Sequence, residues 1–138
     1  MASLVRFGVS LERELLDKFD NHIKRKNYPT RSEAFRDLIR KELITKEWQG
    51  NKEIAGAITL IFNHHRRELV NRLTDIQHDF QKTIMSCQHI HLDHDNCLEI
   101  VALRGSPKQT ERLLDALKAV KGIKHATLSM STTGRDIA

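Results

Sequence analysis

The first 47 residues constrain this chain most, because they are too few to bury a hydrophobic core alone. Apolar and polar residues alternate from Val5 to Leu11, which predicts a strand. Two stretches with helical spacing follow, separated by a turn at 27–29. A chain below about 40 to 60 residues usually needs a metal, disulfides or a partner, and a lone strand tends to pair with another chain. We therefore predict an obligate dimer in which two copies pair their strands.

The starts of both helices carry capping signals. Ser10 is predicted to cap the first helix, because serine oxygens accept hydrogen bonds from the free amides of a first turn. Thr30 and Glu33 have the spacing of a capping box at the start of the second helix. The polar segment 48–52 contains Gly50 and is predicted to be a short linker with limited freedom.

Residues 53–138 show a different order of periodicities. The nearly continuous apolar run 54–62 predicts a strand buried on both faces. From Leu69 to Phe80 the apolar residues step as in a helix, and strands are predicted at 83–92 and 97–104 around a hairpin turn. A helix near Pro107 and a last strand complete the order β-α-β-β-α-β. This is the ferredoxin-like order, so the predicted class is α/β (α+β).

Histidines and cysteines cluster in the middle of the chain and suggest a metal site. His89 and His91 are two apart on a strand and point the same way, and Cys97 follows across the hairpin turn. A thiolate with imidazoles suits nickel, copper or zinc. His78 is the leading candidate for a fourth ligand, from the same chain or across a subunit interface. The alternative is that these histidines are structural.

Other residues of the same window are predicted to have different roles. Cys87 shares the face of His89 by parity, but we expect it to be a small buried hydrophobe. His94 lies in the turn and is expected to be exposed or to support the metal ligands indirectly. His64 and His65 are expected to begin the helix that follows the first strand of this part.

A paired strand of the N-terminal part is also a candidate DNA-reading element. A two-stranded ribbon fits the major groove, and its outward side chains would be those of Arg6, Gly8 and Ser10. Backbone amides at the start of the second helix could hold a phosphate, and these belong to Thr30, Arg31 and Ser32. The net charge of +5 permits DNA binding without requiring it. The alternative is that Arg6 is an ordinary exposed edge-strand charge.

Several classes of protein are disfavoured by composition. No stretch approaches the roughly 18 apolar residues of a membrane span, and no leader pattern is visible, so a cytoplasmic location is expected. Two cysteines cannot make a disulfide framework. No general base or nucleophile accompanies the metal ligands, so we do not expect an enzyme.

The chain resembles the nickel-responsive transcriptional regulators over nearly its whole length. The N-terminal residues that carry the resemblance are 6–11, Tyr28 and 31–37. The C-terminal residues are 89–99, and this stretch is the more specific of the two. The resemblance implies a ribbon-helix-helix DNA-binding domain (1–47) and a linker (48–52). An ACT-like nickel-binding and tetramerisation domain (53–138) follows.

The resemblance also implies roles for individual residues. Nickel would be held by His89, His91 and Cys97 of one subunit and by His78 of its neighbour within a homotetramer. The DNA-contacting strand would use Arg6, Gly8 and Ser10, and Gly8 departs from relatives with a threonine there. A second, weaker cation would use carboxylates that match Glu33 and Asp37, although Glu33 also fits a capping box and Asp37 a surface charge.

These observations predict a nickel-dependent transcriptional repressor of nickel-uptake genes that binds double-stranded operator DNA. Two alternatives remain open at the level of sequence. One is a ribbon-helix-helix regulator that senses another metal or a small molecule. The other is a metal storage or delivery protein whose N-terminal part only dimerises.

Overall fold

The computed structural model describes residues 3–137, which fold as two units. The first unit comprises the described residues up to Leu43 together with Ile137, and the second comprises Ile44–Asp136. The division falls inside the second helix of the chain, upstream of the linker predicted at 48–52. None of the helices in the described part of the chain has the length and hydropathy needed to span a membrane.

The first unit contains helix α1 (Arg13–Arg25) and the start of helix α2 (Arg31–Trp48). Ser10 does not cap α1, so that prediction was wrong: Glu12 occupies the N-cap position, two residues later, and makes no side-chain cap bond. Half of the predicted capping box is present, because the backbone amide of Glu33 donates to Thr30 Oγ1 at 3.1 Å. The Glu33 carboxylate instead pairs with Arg36, one turn along the helix.

The turn between α1 and α2 confirms the predicted break at 27–29. Asn27 adopts a left-handed backbone with φ 58°, which asparagine tolerates better than most residues. The helices pack through Phe19 and Phe35, whose ring centroids lie 5.0 Å apart. Arg31 donates two hydrogen bonds of 2.9 Å to the carboxylate of Asp20. This pairing lowers the pKa of the Asp20 carboxyl.

Residues 3–11 form no strand within the described single chain. Their apolar side chains are exposed: Val5 is 81%, Phe7 72% and Val9 52% accessible. A strand without a neighbour has no hydrogen-bond ladder, so the strand predicted at 5–11 depends on a second copy. Its pairing therefore stays a prediction.

The second unit has the predicted order β-α-β-β-α-β. Its elements are β1 (Ile54–Asn63), α3 (Arg67–Asp79), β2 (Ile84–His91), β3 (Asn96–Gly105), α4 (Pro107–Lys118) and β4 (His125–Met130). The strands form one antiparallel sheet in the order β2-β3-β1-β4. A capping box between Ser106 and Gln109, with Pro107 in the first turn, begins α4.

The two helices of this unit cover one face of the sheet. Leu73 of α3 and Leu113 of α4 join β1 in a single hydrophobic cluster. The residues of β1 in this cluster are Ile54, Ile58, Leu60 and Phe62. The residues between them are only half-buried. The prediction that β1 is buried on both faces was therefore wrong for the single chain, because no helix covers the other face.

Trp48, predicted as the first linker residue, is the last residue of α2. Its indole Nε1 donates to the backbone oxygen of Ser131 at 2.7 Å and its ring packs against the core of the second unit. The ring lies close to Gly56, where an added Cβ would approach Trp48 at 3.2 Å and the oxygen of Ser129 at 2.6 Å. A side chain at position 56 would therefore push the indole away.

Candidate metal centre

The β2–β3 hairpin brings three predicted metal ligands together. Its register pairs His91 with Cys97, and His89 lies one step further along the same face. One ligand atom from each of these residues lies within 4.8 Å of the others. The closest approach joins Cys97 Sγ to His89 Nε2 at 2.7 Å. The spacing predicted from the sequence is thus realised within one chain.

The turn of the hairpin is held by Asp93. Its Oδ1 accepts hydrogen bonds from the backbone amides of Asp95 at 2.9 Å and Asn96 at 2.7 Å. The hydrogen bond from the Asn96 side chain, followed by these two backbone bonds, lowers the pKa of Asp93 to about 2. Lys124 also donates to Asn96 Oδ1 at 2.5 Å. The residue that precedes Cys97 is therefore fixed from two sides.

A buried carboxylate lies beside the ligands. Glu99 is only 9% accessible, and its Oε2 accepts a hydrogen bond of 2.9 Å from Gln77 of α3. Its Oε1 lies 3.7 Å from His89 Nδ1, which is longer than a hydrogen bond. Burial, followed by the charge of Glu99, raises the pKa of the Cys97 thiol. Binding of a metal to Cys97 would then release a proton, because the ligand form is the thiolate.

The sequence analysis did not assign a role to Glu99 or Gln77. Strand parity contained the signal for Glu99, because it lies two residues from Cys97 and therefore on the same face. Gln77 could not be found this way. Its contact with Glu99 depends on how α3 lies across the sheet, which periodicity does not report.

His78 does not join this group within one chain. It lies in the last turn of α3, and its side chain is exposed. Cys87 also lies outside the group and is exposed rather than buried as predicted, because β2 is an edge strand of the sheet. Its Sγ donates to Gln77 Oε1 at 3.5 Å. His64 and His65 precede α3 and do not begin it, since the helix starts at Arg67.

The carboxylates predicted to hold a second cation contact groups of their own chain. Glu33 pairs with Arg36. Asp37 accepts a hydrogen bond from the Tyr28 hydroxyl and lies 3.2 Å from Lys41 Nζ. These two contacts, the Tyr28 bond first, lower the pKa of Asp37. A cation at this position would have to compete with the two basic side chains.

The predicted DNA-contacting residues lie in two places of the first unit. Those of the strand are in the irregular, exposed stretch before α1, and these are Arg6, Gly8 and Ser10. A Cβ at Gly8 would meet nothing within 4 Å, so the position has no steric need for glycine. The others are at the start of α2, and these are Thr30, Arg31 and Ser32.

Comparison with known proteins identifies the family. Residues 55–131 match the family model described as "NikR C terminal nickel binding domain", which covers more than half of the chain. The chain belongs to the family of nickel-responsive regulators. Residues 5–46 also match the model described as "Ribbon-helix-helix protein, copG family". The predicted fold class, a ribbon-helix-helix domain followed by an α+β domain, is thereby confirmed.

Similar proteins support the same family over the full length. A protein of Syntrophus aciditrophicus is 58% identical over 135 residues, which cover 98% of each chain. A protein of Chlorobium limicola is 56% identical over 97% of this chain and 100% of its own. Both carry the name "putative nickel-responsive regulator".

The family settles the metal and the class of function. Nickel is the metal of its C-terminal domain, and its members are regulators, so nickel and a non-enzymatic role are both confirmed. A solved structure of an uncharacterized Thermotoga maritima protein has a TM-score of 0.51 at 12% identity. It covers 56% of this chain and 95% of its own, and it shows a shared fold only.

The low pKa of Asp93 predicts a pH-dependent contribution to stability. Since this pKa is about 2 in the folded chain and 3.8 ordinarily, the charged carboxyl stabilises the fold above about pH 4. That contribution is lost as pH falls through about 2. In urea unfolding without metal, the free energy of unfolding of Asp93→Asn should therefore be lower than that of the wild type near pH 5. This deficit in the free energy of unfolding should become smaller towards pH 2.

Asp79→Asn, at the exposed end of α3, is the matched control for this measurement. It removes the same charge without touching the hairpin turn. A deficit of Asp93→Asn that stays constant over the whole pH range would contradict the role assigned to the ionised carboxyl.

Proposed function

We propose that this regulator is a nickel-dependent repressor that binds operator DNA through a paired β-ribbon and controls nickel-uptake genes in the cytoplasm. Residues 1–47 form the DNA-binding domain, 48–52 the linker and 53–138 the nickel-binding and tetramerisation domain. The observation that carries this proposal is the convergence of His89, His91 and Cys97 in a chain of the nickel-responsive regulator family.

The proposed nickel ligands are His89, His91 and Cys97 of one subunit with His78 of a neighbouring subunit. Ligand atoms around one late transition metal ion lie about 2.0 to 2.3 Å from it, so their mutual distances are about 3 to 4.5 Å. The group in this chain is within 4.8 Å, so small side-chain adjustments suffice. Two imidazoles and a thiolate fit nickel(II) chemically. The exposed position of His78 leaves it free to reach another copy.

The uncovered face of the sheet supports a homotetramer. Apolar residues occupy that face in all three neighbouring strands: Ile61 of β1, Leu98 and Ile100 of β3, and Ile90 of β2. Ile90 remains 38% accessible in the single chain. A second copy laid on this face would remove these side chains from water, at about 25 cal/mol per Å² of apolar surface.

The first unit supports a paired ribbon for a similar reason. The apolar side chains of its N-terminal stretch are exposed, and so are several of α1 and α2: Leu15, Leu38, Ile39 and Leu43. Only Ala34 is buried in these helices. A second copy of the unit would give these residues a shared core. Arg6, Gly8 and Ser10 would then face away from the helices and towards base edges.

DNA attachment would combine base reading with phosphate contacts. Arg6 can donate two hydrogen bonds to guanine, and Ser10 can pair with several bases. The backbone amides of Thr30, Arg31 and Ser32, at the positive end of α2, suit a phosphate. Gly8 offers no side chain, so it contributes only close backbone approach.

A weaker cation at Glu33 and Asp37 would have to displace Arg36 and Lys41.

Regulation requires that the ligands lie on different subunits. When bound, nickel supplies a fixed link between the hairpin of one subunit and α3 of another. The turn that precedes Cys97 is held in one conformation, because Asp93 and Lys124 both form hydrogen bonds with Asn96. An arrangement of subunits that brings His78 to this hairpin is therefore favoured over arrangements that do not. By linkage, operator DNA then strengthens nickel binding by the same factor.

Binding of promoter fragments from nickel-uptake genes tests the proposed function. Nickel should strengthen binding of the wild type more than zinc or cobalt does, because square-planar coordination favours nickel(II) over these two ions. Copper(II) shares this preference and is tested as the chemically most similar competitor. A gel-shift or fluorescence titration at fixed salt measures this. Equal responses to all four metals would contradict a regulator selective for nickel, and no metal-dependent DNA binding at all would favour a metal storage or delivery protein.

Arg6→Ala is the matched variant for the DNA-contacting strand in that assay. It should lower discrimination between operator and unrelated DNA by about five- to 150-fold, which corresponds to roughly 1 to 3 kcal/mol for a bidentate base contact. Lys52→Ala, an exposed basic residue in the predicted linker, is the control for the loss of one positive charge. Identical discrimination in both variants would show that Arg6 does not contact the bases of the operator.

The two cysteines provide a direct test of the ligand set. Nickel titration of the wild type should give thiolate-to-metal absorption, and Cys97→Ala should abolish it because no other thiol belongs to the ligand group. Cys87→Ala, a thiol on the same sheet face but outside the group, should retain it. Absorption that survives in Cys97→Ala and disappears in Cys87→Ala would reverse the assignment.

A further inference from the structure

A second group of possible ligands lies where the tip of the β2–β3 hairpin meets the turn after β1. It consists of His65, His94 and Asp95, and one ligand atom from each lies within 4.8 Å of the others. The Oδ1 of Asp95 is 3.1 Å from His94 Nδ1 and 3.7 Å from His65 Nε2. All three side chains are exposed, and none belongs to the proposed nickel ligands.

We propose that these three residues form a second, solvent-facing site for a borderline divalent cation such as zinc or nickel. Around such an ion, nitrogen and oxygen ligands at about 2.1 Å lie about 3.0 to 3.4 Å apart in octahedral or tetrahedral arrangements. The separation of 3.1 Å between His94 and Asp95 lies in this range, and that of 3.7 Å between His65 and Asp95 lies about 0.3 Å above it, within reach of a small side-chain rotation. Two imidazoles and a carboxylate without a thiolate suit several late divalent ions and leave positions for water.

The backbone around this outer site is fixed before any ion binds. The amide of His64 donates to the backbone oxygen of Asp95 at 3.1 Å, which ties the turn to the hairpin. The amide of His65 donates to Asn63 Oδ1 at 2.9 Å. The Asp93 turn holds the amide of Asp95 from the other side. Ligands carried by a rigid backbone lose little entropy on coordination, so this arrangement favours binding.

Contacts of imidazole groups concentrate at the same point. His64 and His65 each place Nε2 at 2.8 Å from the backbone oxygen of His94. The rings of His65 and His94 lie 5.0 Å apart. Coordination by His65 Nε2 would replace one hydrogen bond to an exposed carbonyl, which water can then satisfy. The free-energy cost of freeing His65 to bind the ion is therefore small.

The outer site is adjacent to the first group but separate from it. His64 lies between the two, with its ring centroid 4.1 Å from that of His65 and 4.5 Å from that of His91. No ligand is shared, so each site can be removed by substitution without deleting a ligand of the other. This separation makes the two sites distinguishable by experiment.

Counting nickel by equilibrium dialysis, alongside thiolate absorption, tests this inference on the full-length protein. The wild type should retain two nickel ions per chain, with the absorption saturating after one. His65→Ala/His94→Ala should lose one equivalent and keep the full absorption. His89→Ala/Cys97→Ala should keep one equivalent without absorption. His125→Ala, an exposed histidine on β4, should retain both ions.

Two outcomes would overturn the inference. The first is retention of a single ion by the wild type, or of two ions by His65→Ala/His94→Ala. The second is loss of the absorption together with the second ion in that variant, because the residues would then belong to the first site. Retained absorption in the same variant also shows that its fold is intact, so a loss of one ion cannot be attributed to unfolding.

Discussion

The pairing of β2 with β3 is the constraint on which the metal centre depends. Because His91 lies opposite Cys97, proposed ligands six residues apart in sequence become neighbours on one face of a sheet. A shift of one residue in this register would turn the ligands of one strand to the opposite face. Asp93 prevents such a shift by fixing the turn, and β3 is held on its other side by β1. The site is therefore as rigid as the sheet that carries it.

The sequence predicted the elements of the second unit because most of them have a clear periodicity, while β1 is a continuous apolar run. The steps from Leu69 to Phe80 and the alternation in the strands both reflect burial of a single face. Strand parity likewise predicted the convergence of His89, His91 and Cys97. The burial predicted for Cys87 was wrong, because strand parity gives the face of a residue but not whether its strand lies at the edge of the sheet.

Other features could not be predicted because they depend on how elements pack. The contact between Gln77 and Glu99 follows from the position of α3 on the sheet. The outer group at His65 arises because two turns, about thirty residues apart in sequence, meet at one end of β1. Ser10 was assigned to a cap because the sequence offers a serine near the helix start, yet the helix begins later.

Much of the exposed apolar surface of this chain would be buried in the proposed assembly. The N-terminal stretch exposes Phe7 and its neighbours, and the open sheet face exposes Ile90. Exposed apolar patches of this kind mark interaction surfaces in soluble proteins. The proposed tetramer uses both, one for the DNA-reading ribbon and one for the regulatory core. Shared ligands across that core are what would connect the metal to the DNA.

Mixing subunits with complementary defects tests this central claim most directly. His78→Ala keeps the hairpin ligands, whereas His89→Ala/Cys97→Ala keeps His78. Each variant alone should lack a complete site at the hairpin, give at most weak thiolate-to-nickel absorption and fail to bind promoter DNA in the presence of nickel. Verified hetero-oligomers of the two should regain both thiolate-to-nickel absorption and nickel-dependent DNA binding, because some sites then have a full ligand set. Hetero-oligomers that recover neither property would contradict a nickel site shared between subunits.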